Sequence, residues 1–379
     1  MRSPRSSRAA ASTIPALVAA LLVVTALPFL ASARPPTAPP AAAGPPGAIA
    51  QDDSGQRIDV FLTQAEESGF NGSVLIATDG SIILHKGYGW ADRQRTQPVT
   101  TTTPFWVASI SKQFAAAAIL KLAEQGRVSL DDSIMRFFPA VPSDKRNITL
   151  HQLLTHTAGL EQHYAADGTA DRDEAVRAIL APPLVRPPGE GFGYSNDAYN
   201  LIAAVVEIAA GQPYETFLRE QLLEPAGMLR TGFWGPEAHP EVADILYGEL
   251  TDSSILSPNW GFRGGVGMFS TTEDLYLWYQ ALEGDEVLSA AARRRLLSPH
   301  VMRETLGVGY GWFVSPTPRG TTSFWTRGYE DFGHGAVLKT YPEEGGVIVV
   351  TSNSGEREGG VPVSHQLAED LAELVFAPR

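Results

Sequence analysis

The chain has 379 residues, 44% of them hydrophobic, no cysteine, and a formal net charge of −13 at pH 7. That length can bury one large core or two modest ones, while the lack of thiols removes disulfides and a cysteine nucleophile. The acidic balance opposes phosphate backbones and anionic lipid surfaces as partners, so neither nucleic acid nor peripheral membrane binding is expected. The eight histidines include no His-x-His or His-Glu-x-x-His spacing, which leaves a zinc hydrolase unsupported and predicts no metal or other cofactor.

Residues 1–33 read as a signal peptide. Arg2, Arg5 and Arg8 precede an apolar run from Ile14 to Leu30, closed by Ala31-Ser32-Ala33, where a signal peptidase requires small side chains. Ala48-Ile49-Ala50 offers a second cleavage site. An uncleaved anchor is the alternative, because the run approaches the roughly 20 residues that span a bilayer. Residues 34–53 are rich in Pro and Ala and predict a semi-extended linker. The domain at 54–379 is then expected to be secreted or periplasmic. Removing residues 1–50, which hold four arginines and no acid, moves the formal charge from −13 to −17.

Within the domain, the runs 72–77 and 81–85 flank Thr78-Asp79-Gly80 and predict a β-hairpin. From about 109 to 300 the rhythm is helical, with helices over Ser109–Gln125, Leu150–Ala158 and Asp197–Ala210 stopped by Gly126, Gly159 and Gly211. Thr149 and Gln152 form a capping-box pattern before the second of these. Strands return at 309–314, 322–326, 336–341 and 346–351, and an amphipathic helix follows over 363–376. Strands at both ends of a helical middle predict an α/β (α+β) fold. Its antiparallel sheet is built from the two chain ends and flanked by helices, with a mostly helical second lobe and a cleft between.

Of five lysines, only Lys112 has a serine three residues before it. Positions i and i+3 share a helix face, so the spacing sets the Lys112 amine beside the Ser109 hydroxyl. There a buried, neutral amine can take the serine proton. Ser109 could equally be a helix cap. Ser111 is adjacent in sequence but faces away from it. Further on, Tyr194 and Asn196 project to one side of an extended loop, where a phenol can relay a proton and an amide can hold both lysine and a carbonyl. Taken alone, they also fit an aromatic core contact and an Asx-type cap.

The segments Gly87–Asp92, Ala108–Lys112, Leu153–Leu160, Tyr194–Asn196 and Gly264–Thr271, in this order and spacing, give the chain its likeness to a known family. Over roughly residues 55 to 376 it resembles the penicillin-recognising serine hydrolases: class C β-lactamases, D-alanyl-D-alanine carboxypeptidases and related esterases. The resemblance implies Ser109 as nucleophile, Lys112 as its activating amine, Tyr194 as general base and Asn196 as a substrate-positioning amide. His156 falls in a segment that is mainly structural in the family and is given no catalytic part.

The family's third motif is Lys or His, a small residue, then Gly on a strand facing the nucleophile, and here the chain departs from it. Arg327-Gly328-Tyr329 is the preferred match, and a shifted register would use His334-Gly335. Arginine cannot act as a base but can hold a substrate carboxylate in a planar fork. The backbone N–H of Glu330 is expected to join that of Ser109 as an oxyanion hole. These expectations describe an exported enzyme that acylates Ser109 with an amide, β-lactam or ester carbonyl of a small molecule or peptide, one bearing a carboxylate if Arg327 holds it. The alternative is a non-hydrolytic penicillin-binding or sensor-type protein. An α/β-hydrolase would need a Gly-x-Ser-x-Gly elbow, and none is present. Oligomeric state is not legible in the sequence.

Overall fold

A computed structural model describes residues 53–161, 163–233, 259–330, 333–357 and 359–376. The predicted signal peptide and nearly all of the linker lie outside them. No helix among the described residues is long and apolar enough to cross a membrane.

The first helix, α1 (Asp53–Glu67), leads into β1 (Gly72–Thr78) and β2 (Ser81–Tyr88). Their hairpin turns at Asp79 and Gly80, both at positive φ (49° and 77°), the backbone that a tight two-residue turn demands. The chain returns to this sheet only near its end, with β6 (Val301–Arg303), β7 (Leu306–Val308), β8 (Phe313–Pro316), β9 (Thr322–Tyr329), β10 (Gly335–Tyr341) and β11 (Gly346–Ser352). The order across the sheet is β2-β1-β11-β10-β9-β8-β7-β6, and every pairing is antiparallel. The two chain ends therefore meet along β1 and β11, paired from Gly72↔Ser352 to Thr78↔Gly346.

Side chains alternate across the sheet and feed two separate cores. Val74, Ile76, Val337, Ile348 and Val350 pack under α1 and the last helix, α9 (Val363–Phe376). Leu75, Ala77, Leu338, Val347 and Val349 face the helical lobe. That lobe is built on α2 (Ser111–Glu124), whose run from Ser111 to Leu120 is wholly buried. Around it lie α3 (Leu150–Leu154), α4 (Arg172–Leu180), α5 (Asn196–Ala210) and α6 (Tyr214–Leu218). A three-stranded sheet of β3 (Phe105–Trp106), β4 (Gly232–Phe233) and β5 (Met268–Ser270) precedes α7 (Thr272–Glu283) and α8 (Ala290–Leu297).

Three local expectations are corrected. The helix over Leu150–Ala158 is only α3: its capping box forms between Thr149 and Gln152, but His156 at φ 58° ends the coil well before Gly159. The strand over 309–314 is instead mostly the turn Gly309–Trp312 between β7 and β8, with only Phe313 and Val314 in a strand. Gly311 (φ 71°) lies so close to the start of α2 that a Cβ there would sit 2.7 Å from the Gln113 amide nitrogen. The helix at Ser109 begins as a single 3-10 turn over Ala108–Ile110 before α2 proper.

Candidate active site

Ser109 sits on that 3-10 turn, directly after Ala108, whose φ is 47°. A left-handed L-residue costs about 1–2 kcal/mol, and here it directs the chain sharply from β3 into α2. Ser109 makes no cap: the 3-10 turn and α2 each lack a side-chain cap bond. Ser111 is spoken for, accepting a hydrogen bond from the Met268 amide at 3.1 Å and tying α2 to β5.

Lys112, one turn on, donates to Ser109 Oγ at 3.0 Å, to Asn196 Oδ1 at 2.7 Å and to the Gly265 carbonyl at 2.8 Å. Its amine also lies 4.8 Å from the centre of the Tyr194 ring. Burial brings the amine down to about 7, opposed only by the negative charge of Glu330. The Tyr194 phenol donates to Ser109 Oγ at 2.7 Å, and burial pushes its pKa well above the ordinary value. At neutral pH the amine is thus the group able to accept a proton, and the phenol stays protonated.

The loop carrying Tyr194 is fixed by its neighbours. Ser195 Oγ accepts from the Ala198 amide and caps α5, so Asn196, the first helical residue, turns its amide to Lys112 instead of capping. His156 lines the same pocket as Ser109, Lys112 and Tyr194. Its ring stacks on Tyr194 with centroids 4.4 Å apart, and its Nδ1 accepts from the Ser195 amide at 3.1 Å. Burial, then the Lys112 charge, holds this imidazole neutral, far below its usual pKa. It supports the Tyr-x-Asn loop rather than touching Ser109.

On the facing strand, β9, Gly328 meets the nucleophile. A Cβ at Gly328 would lie 2.2 Å from the Val107 carbonyl oxygen and 2.6 Å from the Ser109 amide nitrogen, so two backbones close here as only glycine allows. The glycine that faces the nucleophile is therefore the third residue of Thr326-Arg327-Gly328, not the second of Arg327-Gly328-Tyr329. Thr326, buried and lining the Ser109 pocket, stands where the family pattern has Lys or His.

Arg327 alternates to the other face, with its guanidinium 5.0 Å from the centre of the Trp325 ring. It lines both the Ser109 pocket and a groove of about 230 Å3 on the far side of the sheet. Glu330 is corrected too: its amide donates to the His334 carbonyl at 2.9 Å in the connection just past the end of β9 and is not available to an oxyanion. Amide directions alternate along an antiparallel strand, so the Tyr329 N–H is directed to the opposite edge. His334 does not line the pocket; it is fully buried 6.3 Å from Phe105, and burial lowers its pKa to about 4.

Sequence reasoning missed three groups. The Gly265 carbonyl is one acceptor for Lys112. Asn200 fixes that carbonyl's loop, accepting from the Gly264 and Gly265 amides at 3.1 and 3.2 Å and donating to the Gly261 carbonyl at 2.7 Å. Their signal was the glycine run 264–267, which marks a close backbone approach but not its target. The third is the Tyr329 amide, hidden by the one-residue register error. The larger cavities, the groove of about 230 Å3 and another of about 310 Å3 beside Asp197, hold no such convergence. The space against Ser109 is only about 10 Å3, but it is where a hydroxyl, a low-pKa amine and a phenol meet.

Two curated relatives are similar to the chain at 29% identity. One is the putative penicillin-binding protein PbpX of Bacillus subtilis, over 70% of this chain and 66% of that protein. The other is penicillin-binding protein 4* of the same organism, over 78% of this chain and 71% of that protein. Among solved structures, the octameric penicillin-binding protein homologue from Pyrococcus abyssi superposes with a TM-score of 0.71 at 25% identity, covering 84% of this chain and 77% of that one. The Beta-lactamase family model matches residues 61–373, and with the antiparallel sheet, helical lobe and converging Ser109, Lys112, Tyr194 and Asn196 already described, the chain belongs to the Beta-lactamase family.

Proposed function

We propose that this protein is a serine hydrolase working through an acyl-enzyme on Ser109. The observation that carries the reading is that Ser109 Oγ is bonded at once to the Lys112 amine at 3.0 Å and the Tyr194 phenol at 2.7 Å, with that amine brought to about 7. Neutral Lys112 takes the serine proton as Oγ attacks a carbonyl carbon. The negative charge that develops on the carbonyl oxygen is received by the amides of Ser109 and Tyr329. The proton then reaches the leaving group by way of the Tyr194 phenol, which makes Tyr194 the proton donor and Lys112 the base. Water repeats the sequence in reverse on the acyl-enzyme, releasing the acid and restoring Ser109. Asn196 holds the amine in place through its Oδ1.

The substrate is an ester, β-lactam or D-amino-acid amide. With residues 1–33 acting as an export signal, the enzyme works outside the cytoplasm. The test is turnover of a p-nitrophenyl ester, a penicillin and a D-amino-acid p-nitroanilide by the protein without residues 1–50. Steady hydrolysis of at least one, abolished in Ser109→Ala, is expected. A single burst with no further turnover on any of them would point instead to a trapping or sensor protein, the reading favoured by Thr326 standing in place of a cation.

A further inference from the structure

His365 lies on the first turn of α9, across the sheet from the nucleophile, and its Nε2 is 3.0 Å from the carbonyl oxygen of Gly328. A carbonyl only accepts, so Nε2 carries the proton and the imidazole donates. The ring is held from two sides. Tyr329 meets it edge-on with centroids 6.5 Å apart, and the start of α9 is anchored by the Val363 amide donating to the Gly355 carbonyl at 3.0 Å. Burial, then the positive charge of Arg327, lowers the imidazole to about 4, so a neutral donor is present throughout the physiological range.

The Gly328 carbonyl and the Tyr329 N–H belong to one planar peptide group and point in opposite directions. Whatever holds the carbonyl therefore aims the N–H. A donor on the carbonyl also polarises the group and strengthens its N–H as a donor in turn. The Gly328 carbonyl faces the Ala336 amide across the β9–β10 ladder, and His365 adds a second donor to it from α9. Gly328 has no side chain to brace the peptide further, because the Ser109 backbone occupies the space a Cβ would need. We propose that His365 is a positioning residue for acyl transfer, which orients and polarises the Gly328–Tyr329 peptide so that the Tyr329 amide meets the oxyanion. The proposal rests on the acyl-transfer reading above and adds to it a residue from the opposite layer of the molecule.

The experiment compares His365→Leu and His365→Phe, which remove the donor, with His365→Gln, which keeps an N–H at similar reach. Each is assayed for steady-state ester hydrolysis and for binding of an aryl boronic acid, which forms a tetrahedral adduct on an active serine. Thermal unfolding of each variant confirms that it is folded, and either donor-less variant suffices if the other is not.

A fall in kcat of about 10-fold to 100-fold is expected, below the loss from deleting an oxyanion donor outright. KM should stay within about threefold of the wild type, because ground-state binding does not use the oxyanion hole. Boronate affinity should fall in parallel with kcat, and His365→Gln should recover most of both. Unchanged kcat and boronate affinity in a folded donor-less variant would overturn the proposal while leaving the role of Ser109 intact. A wild-type protein that binds the boronate no better than Ser109→Ala does would overturn the acyl-transfer reading and this proposal with it.

Discussion

Lys112 shows how a side chain acquires chemistry from its surroundings. Its four-carbon stem runs into a helix start that is buried all round, and desolvation makes the charged form costly. Charged, the amine donates to Ser109, Asn196 and Gly265; neutral, it keeps two donors for Asn196 and Gly265 and turns its lone pair to the Ser109 hydroxyl, so it is held in place in either state. Because the neutral amine is the reactive form, kcat/KM is expected to rise about tenfold per pH unit below about 7 and then level off. With the phenol raised above its usual pKa, no fall should follow before about pH 10. A pH–rate profile checks this, and activity that declines as pH rises through neutrality would contradict it.

Stability follows the same group. The folded pKa lies below the unfolded value, so the unfolded chain binds more protons between about 7 and 10.5, and this lysine's contribution to stability rises with pH across that window. Replacing Lys112 with Met should cost about 10²- to 10⁴-fold in acylation rate. At this scale the Ser109–Lys112 pair was legible from one turn of helix spacing, while Tyr194 and Asn196, 85 and 84 residues from their partners, were legible only through the family motif. His365 belongs to no motif, and nothing local in the sequence links it to Gly328.

At the scale of elements, the site depends on where β9 presses on the start of α2. The third motif was misread by one residue because strand alternation turns a single-position slip into a change of face. Arg327 attracted attention by its charge, whereas the deciding feature was the absence of a side chain at Gly328. Gly328→Ala is accordingly expected to force the strand and nucleophile apart, with an overpacking cost of about 1–3 kcal/mol in unfolding free energy. Its loss of acylation should exceed what that destabilisation explains. Urea unfolding measured beside turnover separates the two effects, and wild-type activity in Gly328→Ala would show that the close approach is not needed.

The turn at Gly309–Trp312 and the early end of α3 were illegible for a related reason. Both are shaped by contacts with distant segments, Gly311 against the Gln113 backbone and the His156 ring accepting from the Ser195 amide. Local helix and strand preferences carry no record of such contacts.

For the whole molecule, the sheet assembled from both chain ends could be read in advance, because hydrophobic alternation and the Asp79-Gly80 turn are local signals. The partition into two cores could not. One core, under α1 and α9, supports the sheet from behind; the other carries α2 and hence Ser109. Leu62→Ala, in α1 and fully buried, should destabilise the protein by about 2–5 kcal/mol yet leave kcat of the folded fraction near wild type. Denaturant melts and active-site titration of the same sample test that separation, and a kcat that collapsed with the core would contradict it.

Everything proposed about catalysis converges on one bond, between Ser109 Oγ and an acyl group. The most direct measurement is intact-protein mass spectrometry after brief reaction with a penicillin or a p-nitrophenyl ester, for the wild type beside Ser109→Ala. The account predicts a covalent mass increase equal to the acyl group in the wild type, located by peptide mapping to the segment containing Ser109, and none in the variant. An adduct of the same mass and yield in Ser109→Ala would contradict it.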